Sequence, residues 1–132
     1  MNPVEIEQAL SDFAETPFDP IEFPYGFLAC FGRKANELKS LRSGTTNKSD
    51  LEHAVLLRNA VHICVCPKGE VTKHLDTLRL APETTKWKVK LALATDGQTI
   101  EAENIITGET LACGYTNLPD HFGVLLTLAG IE

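Results

Sequence analysis

The stretch that decides the fold class is WKVKLALATDGQTIEAENIITGETLACGY, which covers residues 87–115. From Trp87 to Ala94, larger apolar side chains alternate with lysines and alanines, a pattern typical of a half-buried strand. An Asp-Gly pair at 96–97 favours a hairpin turn, and a Thr-Gly pair favours a second turn at 107–108. The three predicted strands cover residues 87–94, 99–106 and 109–115. They form an antiparallel meander.

Two more strands are predicted upstream of the meander, and one helix connects them to it. Residues 55–57 and the β-branched run 61–66 are separated by a possible turn at Arg58 and Asn59. Residues 70–80 then carry apolar side chains at helical spacing and stop before a proline. This helix is expected to cross the sheet.

Helices are predicted in the first third of the chain. Asn2, Pro3 and Glu5 have the pattern of a capping box, which starts a helix that should run to about Glu15. Residues 25–31 are too apolar to be exposed and predict a short buried helix, and residues 33–43 predict an amphipathic turn. The predicted fold class is therefore α+β: N-terminal helices followed by a mixed, largely antiparallel sheet with a C-terminal meander and one crossing helix.

Length and composition favour a single globular domain over residues 1–132, with 43% hydrophobic and 23% charged residues. No apolar run approaches the roughly 20 residues of a membrane span, and the N-terminus is acidic, so we expect a cytoplasmic protein without a membrane partner. The net charge of -6 argues against a surface that binds nucleic acid everywhere. A local basic patch remains allowed.

The charges are strongly segregated along the chain. Residues 1–32 contain six acids and no base, whereas residues 33–48 contain five bases and a single acid, Glu37. The five bases are the candidate DNA-binding residues: Arg33, Lys34, Lys39, Arg42 and Lys48. Cations beside a polar loop can contact backbone phosphate, although a solvated basic helix face has the same pattern. Both interpretations stay open at this stage.

Three acids have part of the layout of a magnesium-dependent nuclease. Such a site places an acid at a strand end and Glu-x-Lys on the next strand, so that two carboxylates hold the metal. Asp96, Glu101 and Glu103 follow this order, but Glu103 stands where the lysine is required. The alternative is a solvated, charged strand face.

Two further motifs are weaker. His62, Cys64 and Cys66 share one predicted strand face, with Cys113 as a possible fourth ligand for zinc. A flat strand spreads its side chains apart, so we predict buried thiols beside a satisfied histidine and no metal. The loop 44–49 ends like a phosphate-binding loop but lacks two of the glycines that such a loop requires, which favours a polar surface loop.

Idiosyncratic strings along nearly the whole chain carry a family resemblance. They include FPYGFLACFG at 23–32, LKSLRSG at 38–44, TNKSD at 46–50, PKGEV at 67–71, ATDG at 94–97, TGET at 107–110 and PDHFG at 119–123. With these strings the sequence resembles the N-terminal domain of class I SAM-dependent DNA methyltransferases related to MmeI-like type IIL restriction-modification proteins.

The resemblance implies a longer polypeptide that transfers a methyl group from S-adenosylmethionine to adenine in DNA. The expected partners are DNA and the catalytic methyltransferase domain of the same polypeptide. This chain lacks the glycine-rich SAM loop and the Asn-Pro-Pro-Tyr-type motif, so we expect no cofactor and no catalytic residue in this domain. An apolar run at Val124–Leu126 without a stop signal suggests that the tail, Pro119–Ile131, packs against something beyond it.

Three functions therefore follow from the sequence. The leading hypothesis is an accessory domain of a DNA adenine methyltransferase, of restriction-modification or phage-defence type, that positions DNA or the catalytic domain. The alternatives are a divergent magnesium nuclease and a purely structural interaction module.

Overall fold

Within the part of the chain that the structure describes, the central sheet has five strands, and each strand neighbours the next one along the chain. The computed structural model describes residues 2–130. Its elements are α1 (Pro3–Glu15), α2 (Phe23–Cys30), α3 (Ala35–Arg42), β1 (Ala54–Leu57), β2 (Val61–Val65), α4 (Val71–Leu80), α5 (Pro82–Lys86), β3 (Leu91–Thr95), β4 (Thr99–Asn104), β5 (Thr110–Gly114) and two 3-10 helices, Tyr115–Asp120 and Phe122–Ala129. The predicted α+β class is confirmed.

The connection between β2 and β3 determines which loops meet. These two strands are parallel, with Val61 opposite Leu91, and α4 and α5 form the crossover between them. All other neighbouring strands are antiparallel. The starts of β2 and β3 therefore lie at the same end of the sheet as the β1–β2 turn. The β3–β4 turn lies at the opposite end.

Alternation along the strands divides the core into two layers. On one face, Ile63 and Leu93 are fully buried against α1, α2 and the C-terminal 3-10 helices. On the other face, Cys64 and Ala94 pack beneath Leu78 of α4. The sheet is thus covered on both sides, as a mixed sheet with a parallel pair usually is.

The predicted start of the first meander strand, at residue 87, is wrong. Trp87 does not open a strand, because Pro82 starts the short helix α5 and Trp87 caps its end. Lys88 follows with a φ of +55°, and β3 begins only at Leu91. The apolar and polar alternation at 87–90 arises from a loop that packs on the β1–β2 turn, where Asn59 N–H donates to the Trp87 carbonyl (2.9 Å).

The apolar C-terminal run packs within the chain. Leu125 is 0% exposed and Leu128 is 2% exposed, and both belong to the core that covers the first face of the sheet. The expectation that the run Val124–Leu126 requires something beyond the tail is therefore wrong for Leu125, while Val124 and Leu126 are partly buried against the same core and Ile131 lies outside the described residues. Between residues 2 and 130, no helix has the length and apolar character to cross a bilayer.

Candidate functional site

A groove runs along the end of the sheet where β2 and β3 begin. It consists of three recesses of about 700, 490 and 450 Å³. Asn59 lines the first and second recess, and Lys48 lines the second and third, so the recesses adjoin one another. The basic residues that line it are Arg33, Lys34, Lys48, Arg58, Lys86 and Lys90, and the acids are Glu37, Asp50 and Glu83. We call this feature the basic groove.

The first recess lies between α3 and the C-terminal tail. Arg33 joins the two, because its Nε donates to the Leu128 carbonyl (3.0 Å) while its Nη1 lies 3.4 Å from Glu37 Oε2. Lys34, by contrast, is exposed at the start of α3. Arg33 thus forms part of the wall of the recess, and Lys34 presents an exposed cation to solvent.

The structure separates the other two bases of α3 from the groove. Arg42 forms an ion pair with Glu22 (Nη1 to Oε2, 2.5 Å), and its guanidinium carbon lies 4.2 Å from the centroid of the Tyr25 ring. Lys39 is exposed. Within the described residues, neither lines the three recesses. Three of the five candidate DNA-binding residues are therefore brought together, and the DNA contact itself stays a prediction for all five.

Asn47 fixes the loop that carries Lys48 into the groove. Its Oδ1 accepts from the backbone N–H of Leu56 (2.9 Å) and its Nδ2 donates to the Ala54 carbonyl (3.3 Å). The backbone N–H of Lys48 donates to the Leu56 carbonyl (3.1 Å). The loop therefore pairs with the outer edge of β1 as a strand would, which protects that edge from other chains. The sequence indicated only a polar loop here.

The third recess contains the single tryptophan of the chain. The ammonium groups of Lys48 and Lys86 lie 5.0 and 5.2 Å from the centroid of the Trp87 ring. At these distances a cation is attracted by the ring quadrupole. An aromatic surface and two cations therefore lie together at one end of the basic groove.

His62 lies behind this recess and is completely buried. The Thr84 hydroxyl donates to the Leu78 carbonyl (2.7 Å), so it accepts from His62 Nδ1–H (2.9 Å). With the ring proton on Nδ1, the Ser49 hydroxyl is the donor to Nε2 (2.7 Å). Burial lowers the pKa of His62 to about 4. With a neutral threonine behind it, such a weak base activates a serine poorly. We interpret the chain of hydroxyls as a structural link.

Two of the cysteines considered for zinc are core residues, while Cys113 is only partly buried. Cys64 and Cys66 are buried, and burial raises the pKa of the Cys66 thiol to about 11, so it is protonated at neutral pH. Among residues 2–130, no group of three His, Cys, Asp or Glu side chains is arranged to hold a metal ion. The nitrogens of His62 are both committed to hydroxyls, which leaves it no lone pair for a metal.

The three acids of the nuclease hypothesis are engaged in separate contacts. Asp96 lies in the β3–β4 turn, where its carboxylate accepts from three backbone N–H groups at 2.8 to 3.0 Å. Burial raises the pKa of Asp96, but these hydrogen bonds outweigh it and the pKa is lowered. Glu101 accepts from the Thr72 hydroxyl (2.7 Å), and Glu103 pairs with Arg79 (3.4 Å). The geometry of these three acids gives no support to the nuclease hypothesis.

Sequence reasoning missed half of the basic groove. Arg58 lies in the β1–β2 turn, whereas Lys86 and Lys90 are distant from residues 33–48 along the chain and meet them only through the crossover between β2 and β3. The available signal was their position: each lies in a short loop or helix end beside the start or end of a strand. Loops at one end of a sheet are the usual place for binding residues.

Comparison with known proteins gives one family. The family model described as "MmeI, N-terminal domain" matches residues 1–132, the whole chain, and such domains are the N-terminal domains of restriction-modification enzymes. No curated protein and no solved structure matches the chain.

Proposed function

The chain belongs to the MmeI N-terminal domain family, and we propose that it is an accessory domain that contacts DNA through the basic groove. The observation that carries this proposal is the excess of bases over acids along three adjoining recesses in a chain with a net charge of -6. On this proposal, methyl transfer from S-adenosylmethionine to adenine takes place in another domain of the same polypeptide.

The chemistry of the groove suits backbone phosphate better than base edges. Lys34, Arg58 and Lys86 are exposed, and long basic side chains that neutralise phosphates release counterions from DNA. Contacts of this type fix the position and orientation of a protein on the duplex without reading sequence. The groove would therefore hold DNA in place while sequence recognition and catalysis occur elsewhere.

A pair of charge reversals tests the proposal. The double variant Lys34→Glu, Lys86→Glu changes two exposed groove residues. Its matched control, Lys68→Glu, Lys73→Glu, makes the same charge change at exposed lysines near the opposite end of the sheet. Duplex affinity of the 132-residue chain is measured by fluorescence anisotropy over about 50 to 200 mM salt. At these concentrations charges beyond about 10 Å are largely screened.

We expect the groove variant to lose about tenfold or more in duplex affinity, with a salt slope smaller by nearly two, because about 0.9 counterions are released per neutralised phosphate. The control variant should change both quantities little. The pair Lys39→Glu, Arg42→Glu should also have a small effect, since both residues lie outside the groove. Equal losses in groove and control variants would show a general charge effect. Failure of the wild-type chain to bind duplex would favour the structural interaction module.

A further inference from the structure

We propose that Trp87 is a stacking platform for one unpaired base of single-stranded DNA, with Lys48 and Lys86 contacting the phosphates beside that base. The proposal rests on the proposed function, because the basic groove leads the DNA backbone into the recess that Trp87 lines. It goes beyond the proposed function because the ligand must contain an unpaired base, whereas contact with duplex phosphates needs none.

Trp87 lies at the edge of the core and not within it. The largest buried aromatic side chains of the protein, Phe23, Phe27 and Phe31, are at most 2% exposed. Trp87 is only partly buried, and neither of the two core clusters found within residues 2–130 includes it. Its indole therefore presents apolar surface to a recess of about 450 Å³ instead of filling the core.

Hydrogen bonds fix the backbone that carries the indole. The N–H of Trp87 donates to the Glu83 carbonyl (2.9 Å), and its carbonyl accepts from the N–H of Asn59 (2.9 Å). The next residue, Lys88, is in the left-handed region, which is uncommon outside glycine and is kept only where the surroundings impose it. A rigid aromatic side chain loses little entropy when a base stacks on it.

Lys48 and Lys86 supply the two cations of the site. Lys48 and Lys86 approach the ring, but within residues 2–130 neither ammonium forms an ion pair with a carboxylate. Both side chains are long and flexible, so a base can displace them from the ring and their charges then remain beside its phosphates. Aromatic rings combined with a basic track are the usual means of binding single strands.

Two of the polar side chains that line the recess are unavailable to base edges. The Asn47 side chain is used by the backbone of β1, and the Ser49 hydroxyl is used by His62 and the Leu51 N–H. Asp50 and Glu83 also line the recess and leave it with no excess of positive charge. Stacking on the indole should therefore contribute more to binding at this end of the groove than charge attraction does. Duplex bases are already stacked on each other, so the indole can engage only an unpaired one.

Intrinsic fluorescence gives a direct test, because Trp87 is the only tryptophan. The wild-type chain is titrated with oligo(dT) of about ten nucleotides and, separately, with a blunt duplex of about 30 bp. Free N-acetyltryptophanamide serves as the control for non-specific quenching. We expect saturable quenching with oligo(dT) and much less with duplex at equal nucleotide concentration. Equal quenching by both ligands, or none with oligo(dT), would overturn the stacking site.

The variant Trp87→Leu keeps an apolar side chain but removes the ring. We expect its oligo(dT) affinity, measured by anisotropy, to fall roughly 5- to 150-fold. Trp87→Phe should keep most of the binding, which separates loss of stacking from loss of fold. Unchanged oligo(dT) affinity in a folded Trp87→Leu variant would refute the inference. The proposed function is tested separately, by duplex binding of the wild-type chain, and the stacking site is tested by the comparison of Trp87→Leu with Trp87→Phe on oligo(dT).

Discussion

Replacing the buried histidine by glutamine, His62→Gln, should remove most of the pH dependence of stability between pH 6.5 and 4. In the folded protein, His62 is 0% exposed and both ring nitrogens bond to hydroxyls. Burial lowers its pKa from 6.5 to about 4. The unfolded chain therefore binds a proton in this window that the folded chain does not bind.

The sign and size of the effect follow from this difference. Because the folded pKa is below the unfolded pKa, the stabilising contribution is present above pH 6.5 and is lost as the pH falls toward 4. A difference of about 2.5 pKa units at 1.36 kcal/mol per unit corresponds to about 3 kcal/mol. In the middle of the window the free energy of unfolding should change by about 1.4 kcal/mol per pH unit.

Urea denaturation followed by far-UV circular dichroism, at half-unit steps from pH 7 to 4, measures this slope. His62→Gln should be less stable than wild type at pH 7 by about 1 to 3 kcal/mol, because a buried hydrogen-bond network is disturbed. Its slope in the window should nevertheless be small. Parallel curves for wild type and variant would refute the assignment of a neutral buried His62. The hydrogen bonds of Asp96 act mainly at the acid end of this window and below it, because its pKa is lowered from an ordinary value of 3.8 and the contribution is lost as the pH falls through that range.

Three other changes test separate parts of the structure. Asp96→Ala should lower the free energy of unfolding by about 1 to 3 kcal/mol in urea titrations, because it leaves backbone N–H groups without an acceptor. If the wild-type chain cleaves plasmid with Mg²⁺ and this variant does not, the nuclease hypothesis is favoured instead. Asn47→Ala should expose the edge of β1 and cause concentration-dependent self-association in size-exclusion chromatography. Gly26→Ala should lower the melting temperature, because the new Cβ would lie 2.6 Å from the Phe13 ring, whereas Gly123→Ala meets open space and should not.

Features that depend on a few adjacent residues were predictable from the sequence. The capping box of α1 is formed as expected, with Asn2 Oδ1 accepting from Glu5 N–H (2.9 Å) and Glu5 Oε1 accepting from Asn2 N–H (3.1 Å), and the helix ends at Glu15. The predicted meander, including the turn at 96–97, is confirmed in β3, β4 and β5. These signals work because the interacting groups are separated by only a few residues.

Features that depend on tertiary contacts were not predictable in this way. The run from Trp87 to Lys90 alternates like a strand, yet the backbones of Trp87 and Lys90 bond to Asn59 and Ala60 of the β1–β2 turn, and within the run it is Lys90 that also accepts from the Ile105 N–H beside the ladder (2.8 Å). Period-two alternation records only which side chains are buried, and a loop lying on a turn can bury alternate side chains as well. The same limit hid the role of Asn47, whose partners on β1 lie seven and nine residues away.

The basic groove shows why net charge along a sequence can mislead about binding surfaces. A parallel pair of strands requires a crossover, and here that crossover returns the chain to the end of the sheet at which β2 begins. Lys86 and Lys90, which enclose the end of the crossover, therefore arrive beside Arg58 and beside the loop of Lys48. An antiparallel β2–β3 pair would have placed them at the opposite end of the sheet. The groove thus follows from the topology, and charge counts taken segment by segment could identify only the part contributed by residues 33–48.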